Sequence, residues 1–183
     1  MSTRSTISIQ LDNDLYKTVY CHHDGYLTHN GAMLLDHYNA RKKVLELIEL
    51  GDLSCLGPKT NPDPTKPHSF EFDGRQDKVC VAYGRDRGES NVEAKTLSLK
   101  EMFNETWIEY FYIFTKENKW KFYSYDNKQE LKDVEEELAK EYKELGFERP
   151  ENFYGFWTSS SIKEHKKSLQ TLQDGEMEWK NIL

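Results

Sequence analysis

Residues 21–24 read Cys-His-His-Asp, four consecutive side chains that can each donate to a metal ion. Thiolate, neutral imidazole and carboxylate are the donors that zinc takes, and a structural zinc is normally held by four of them. Backbone geometry limits this reading. On an extended strand Cys21 and His23 point to one face and His22 and Asp24 to the other, so all four can share an ion only where the chain turns sharply. A zinc site built on Cys21, His22, His23 and Asp24 therefore borrows from His29, His37, Cys55, His68 or Cys80, with Asp86 or Glu89 as oxygen donors. The spacing matches neither a zinc finger nor an HExxH helix. The competing reading places Cys21 in the core and pairs His22 with Asp24 by a hydrogen bond that supports the following loop.

Two other groups of residues carry chemistry. In 85–89, Arg-Asp-Arg-Gly-Glu, Arg85 and Arg87 flank a carboxylate. Two guanidinium forks can grip a phosphate or carboxylate; the plainer reading is a surface ion-pair network of small energetic value. If this segment faces residues 22–24, then His22, Asp24 and Arg87 form one pocket. A metal-dependent hydrolase of nucleotides or nucleic acid would use an open zinc position there to activate water. Cys21 beside His22 makes a poor nucleophile–base pair, because such partners come from separate segments. No glycine-rich phosphate loop of the Walker or dinucleotide type is present. The third group is acidic: residues 129–145 read as a helix whose outer face carries Glu130, Asp133, Glu136, Glu137 and Glu141, with Glu135 and Glu144. Such a face is either simply solvated or presents carboxylates to a basic partner in place of phosphates.

These residues need elements to position them. Residues 6–11 alternate Ile7, Ile9 and Leu11 to one side, and 15–21 reads as the return strand across the turn at 12–14. That second strand delivers the Cys-His-His-Asp run at its end, ahead of a loop to Gly31. A short helix follows around 33–38 and another to Leu50, capped at Gly51. Four prolines between 57 and 67 mark a true loop. Residues 69–72 and 78–83 read as a strand pair, and 84–89 as a glycine-bounded loop. Ser98 and Glu101 form a capping box for a short helix. The segments 106–115 and 119–125, with Trp107, Tyr110, Phe111, Tyr112, Phe114, Trp120, Phe122 and Tyr123, form the plainest hairpin. The 129–145 helix repeats Leu131, Val134, Leu138, Tyr142 and Leu145 at steps of three and four. A last helix is expected to start at the Ser161–Glu164 capping box and run to about Leu172.

The expected fold is α+β, an antiparallel sheet of about five to six strands with helices packed mainly on one face. With 183 residues the chain suits a single domain over 1–183, with a helical extension at 158–183. Its 32 acidic and 25 basic residues leave a net charge of −7, which repels nucleic acid in general, so no direct nucleic-acid binding is expected. The aromatic run is core rather than a base-stacking platform for the same reason. Three cysteines in no CxxC pair fit reduced thiols. No apolar leader or membrane-length stretch is visible, so a cytoplasmic protein is expected, and self-association is left open.

The stretches VYCHHDGYLTHNGAMLLDHYNARKKVLELIELGDLSCLG and, further on, VAYGRDRGE resemble a family of small proteins encoded by bacteriophages and prophages. The resemblance covers roughly residues 2–90, and its pattern Cys-His-any-Asp-Gly-Tyr falls on Cys21, His22, Asp24, Gly25 and Tyr26, with His23 at the variable position. Together with the acidity it implies an anti-CRISPR protein. Such a protein binds the host Cas9–guide RNA complex and blocks DNA loading or cleavage, with acidic side chains set against the basic nucleic-acid channel. Family pattern and strand geometry both favour His22 and Asp24 as a fold-supporting pair over a contiguous four-ligand site.

Overall fold

The computed structural model describes residues 2–146. The expected helix at 161–172 and the extension at 158–183 lie outside these residues. The order is β1 (Ser5–Gln10), β2 (Leu15–Cys21), a π-turn (Leu27–Gly31), α1 (Ala32–His37), α2 (Arg41–Ile48), β3 (Leu53–Cys55), a 3-10 turn (Phe72–Gly74) and β4 (Val81–Ala82). Then come α3 (Tyr83–Arg87), β5 (Lys95–Ser98), α4 (Leu99–Phe103), β6 (Tyr110–Phe114), β7 (Trp120–Ser124), β8 (Asn127–Asp133) and α5 (Val134–Leu145).

The α+β expectation holds, with a larger and mixed sheet. Among the described residues seven strands run in the order β4-β3-β2-β1-β6-β7-β8, and an eighth, β5, pairs with Leu15–Thr18 of β2. The β1–β6 and β2–β3 pairs are parallel, which a purely antiparallel sheet excludes. The alternation of β1 puts Ile7 and Ile9 on the face that also collects Val19, Cys21, Tyr112, Phe114 and Phe122. Residues from α1, α2 and α5, among them Met33, Leu34, Leu47, Leu138 and Tyr142, cover that face. Each such side chain removed from water contributes roughly 1.5–3 kcal/mol. The opposite face carries a smaller core of Tyr16, Met102, Ile108, Phe111 and Ile113, beneath β5 and α4. Helices thus lie mainly, not wholly, on one face.

Both hairpins follow the sequence. Asn13 and Asp14, both at positive φ, turn β1 into β2, and Asn118 serves the β6–β7 turn. The Ser98–Glu101 capping box opens α4 as its residues require.

Three segments differ. Residues 129–145 are not one helix: β8 occupies their start, with Lys121 opposite Asp133 and Phe122 opposite Lys132, and α5 begins only at Val134. Strand pairing along β7 takes these residues because Asp133 then caps α5, accepting the Glu135 and Glu136 amides at 3.0 and 3.3 Å. The 69–72 strand is absent: residues 69–71 are irregular, a 3-10 turn starts at Phe72, and only Val81–Ala82 of 78–83 joins the sheet. Residues 83–87 are a helical turn, α3, capped by Gly88 at φ 73°. Among the described residues no helix is long and apolar enough to cross a membrane.

Candidate functional site

The Cys-His-His-Asp run sits where β2 leaves the sheet. The His22 and His23 amides continue the parallel pairing onto the Leu53 and Ser54 carbonyls at 2.9 and 3.0 Å. Asp24 then reverses the chain at φ 55°, a conformation that Asp tolerates better than most residues. Gly25 follows, its amide donating to the Thr3 carbonyl at 2.8 Å. A Cβ here would stand 2.8 Å from the Arg4 carbonyl carbon and 2.9 Å from the Ser5 Cβ, so backbone packing demands glycine. The Tyr112 hydroxyl donates to the Gly25 carbonyl at 2.9 Å, tying this turn to the centre of the sheet.

The four candidate ligands have separate hydrogen-bond partners, and only the His22 and His23 rings meet, edge to face at 4.4 Å between centroids. Cys21 is wholly buried, with its sulfur 3.4 Å from Asn30 Nδ2. His22 Nδ1 lies 2.7 Å from the Tyr20 hydroxyl. Ser2 Oγ donates to the His22 carbonyl at 2.6 Å and so accepts from His23 Nδ1 at 2.9 Å. Asp24 Oδ1 accepts from the Tyr26 hydroxyl at 3.4 Å. The expected His22–Asp24 bond is thus replaced by bonds from each to a nearby tyrosine. No group of three or more His, Cys, Asp and Glu side chains among the described residues could hold a metal ion. The donor set does not fit a four-coordinate zinc in this arrangement.

Asn30, absent from the sequence-based candidates, organises the turn. It is fully buried, and its Nδ2 also donates to Ser5 Oγ at 3.1 Å and to the His23 carbonyl at 3.3 Å, while its Oδ1 accepts from His29 Nδ1 at 2.9 Å. Burial holds the His29 imidazole below its ordinary value of 6.5, against the opposing pull of Asn30 and Asp24. Burial likewise pushes the Cys21 thiol far above the range in which a thiolate forms. With its sulfur turned to Asn30 rather than to an imidazole, Cys21 has neither the base nor the ionisation of a nucleophile.

The 85–89 segment is also largely occupied by internal bonds. Asp86, 3% exposed at its side chain, accepts the Ala82 amide at 2.8 Å and faces His68 Nε2 at 3.3 Å. Arg85 grips it with Nε at 2.6 Å and Nη2 at 2.8 Å, and spends Nη1 on the Thr60 carbonyl at 2.6 Å. Desolvation alone would raise the Asp86 pKa, but the Arg85 bonds and charge, the Ala82 amide and His68 outweigh it and lower it. Asp86 therefore pins the proline-rich loop to α3. Arg87 pairs with Glu89 at 3.0 Å and lies over the Phe70 ring at 5.0 Å. Arg85 is a structural residue, and His22, Asp24 and Arg87 each have a different neighbour.

The acidic stretch is different. Residues 126–144 hold eight acidic side chains and four lysines, a large part of the net charge of −7. Glu130 accepts from Asn127 at 2.8 Å, Asp133 caps α5, and Glu137 pairs with Lys132 at 3.8 Å and Lys140 at 2.5 Å. Glu141 is half-buried. Asp126, Glu135, Glu136 and Glu144 are exposed. The surface combines the edge strand β8 with the first turn of α5.

One feature escaped the sequence. A cleft of about 450 Å³ lies between the π-turn and residues 55–58 and 72–81, bordered by His23, Asp24, His29, Cys55, Arg75 and Lys78. No local signal joins Asp24 to Arg75, since loop packing alone brings them together. No known family, curated protein or solved structure matches this chain.

Proposed function

We propose that the protein is a non-enzymatic inhibitor made by a phage or prophage, which acts in the bacterial cytoplasm by binding the host Cas9–guide RNA complex and blocking target DNA loading or cleavage. The observation that carries this reading is the division of labour in the chain. The reactive side chains of 21–24 are engaged inside a turn, while exposed carboxylates gather on β8 and α5. Such a surface complements the Lys- and Arg-lined channel that holds the heteroduplex and speeds encounter with it. The resemblance of residues 2–90 to phage-encoded proteins supports the phage or prophage origin in this reading. Zinc is no part of this reading, because Cys21, His22, His23 and Asp24 each hydrogen-bond to a different side chain.

The test mixes the full chain with assembled Cas9–guide RNA. Co-elution on size exclusion and protection of target DNA from cleavage are expected, both weakening with rising salt. Cleavage unchanged at saturating protein, together with separate elution, would overturn the proposal.

A further inference from the structure

The cleft beside the π-turn is built like a ligand site. Its volume of about 450 Å³ falls within the usual range for small-molecule pockets. The floor is apolar, formed by the buried side chains of Met33, Leu56 and Val79. At the mouth stands Phe72, 80% exposed, the most exposed large hydrophobic side chain among the described residues. Arg75 lies beside it, its guanidinium 5.6 Å from the Phe70 centroid and 6.0 Å from that of Phe72. Nε is fixed by the Phe70 carbonyl at 2.8 Å and Nη1 by the Cys55 sulfur at 3.7 Å, which positions a fork with five donors in all.

The backbone takes a left-handed turn on both sides of the cleft. Asp24 and Lys78 hold φ at 55° and 63°. Asn13, Asp14 and Asn118 share this conformation because hairpin turns require it of them, and Asn91 shares it in the loop before β5. Neither Asp24 nor Lys78 is in a hairpin, and the π-turn 27–31, a rare geometry often found at functional sites, contributes His29 to the cleft's lining.

We infer that this cleft binds a nucleoside monophosphate, with the phosphate on the Arg75 fork and the base between the apolar floor and the Phe72 ring. A planar, fixed guanidinium suits a phosphate, and an exposed aromatic ring suits a base. Asp24 supplies an acceptor for the edge of the base, while the Gln76 amide is spent on the Asp63, Lys66 and Pro67 carbonyls and holds the cleft's rim. A single nucleotide is favoured over a strand. Asp24 and Asp77 offset Arg75 and Lys78, so the cleft lacks the run of positive charge that a polymer of phosphates needs.

Isothermal titration of the full chain with AMP, GMP, CMP and UMP tests this assignment, with thermal unfolding to verify that each variant is folded. At least one nucleotide should bind at one per chain, and more tightly than either its nucleoside or inorganic phosphate alone. Arg75→Gln should weaken binding by about tenfold or more. Phe72→Ala, at a side chain that packs against little, should weaken it by about tenfold. Lys116→Gln, a charge change at the far hairpin, should leave it unchanged. Absence of binding by all four nucleotides at about 5 mM would overturn the inference. So would binding that Arg75→Gln and Phe72→Ala leave intact. Cas9 takes no part in this titration, so its outcome is independent of the inhibition assay.

Discussion

The turn at residues 21–30 and the acidic edge at 126–144 are both dense in ionisable side chains, and the fold treats them oppositely. In the turn, Cys21, His29 and Asn30 are buried and bonded to one another or to neighbouring backbone. At the edge, Glu135, Glu136 and Glu144 are exposed. Reactive residue types in a row thus mark a place where the backbone must be held through a sharp reversal. Commoner carboxylates, repeated along one surface, are left available to a partner.

This contrast is open to direct attack through stability. Asn30→Ala removes the amide that joins Ser5, Cys21, His23 and His29, and should cost about 2–3 kcal/mol in urea unfolding. Glu136→Ala should change stability by less than about 0.5 kcal/mol. Similar losses for the two would erase the distinction. Gly25→Ala should cost about 1–3 kcal/mol, because its methyl must displace the Arg4–Ser5 backbone; a neutral result would mean that the turn yields readily.

Acid should separate the regions as well. His29 is lowered by burial, and His22 by burial, His23 and Arg4. The unfolded chain then binds these protons more readily than the folded one. Their contribution is therefore fully present above the unfolded value near 6.5 and is lost as pH falls through it toward the lower folded values. His29→Gln should flatten the loss of stability between about pH 7 and pH 5; an unchanged slope would show that His29 does not set it. A small effect is also expected at Arg87→Ala in the same urea unfolding, where an exposed pair with Glu89 contributes less than about 1 kcal/mol.

The strands that alternate cleanly were legible. Ile7 and Ile9 with the Asn13–Asp14 turn, and the aromatic run from Tyr110 to Tyr123, announce their hairpins. β8 was hidden because Leu131 fits the helical period of Val134, Leu138 and Tyr142. The clue against one long helix was Asp133, a strong N-cap residue followed by acidic residues. Lys95–Ser98 lacked alternation because it is a largely exposed strand, placed by β2 rather than by its own pattern. At the site, the sequence located the turn but not its partners. Tyr20 and Tyr26 capture His22 and Asp24, and Asn30 takes the central position because the π-turn carries it back beneath Cys21. The cleft depends on long-range loop packing, which no local spacing encodes.

The central claim is that inhibition resides on the acidic edge and not in the Cys-His-His-Asp turn. The most direct measurement is the concentration of protein that halves target cleavage by Cas9–guide RNA, determined side by side for wild type, Glu135→Lys/Glu136→Lys and His22→Ala. The double charge reversal should raise that concentration by about tenfold or more, and His22→Ala should stay within about twofold of wild type. A potent charge-reversed variant beside an inactive, folded His22→Ala would contradict the account.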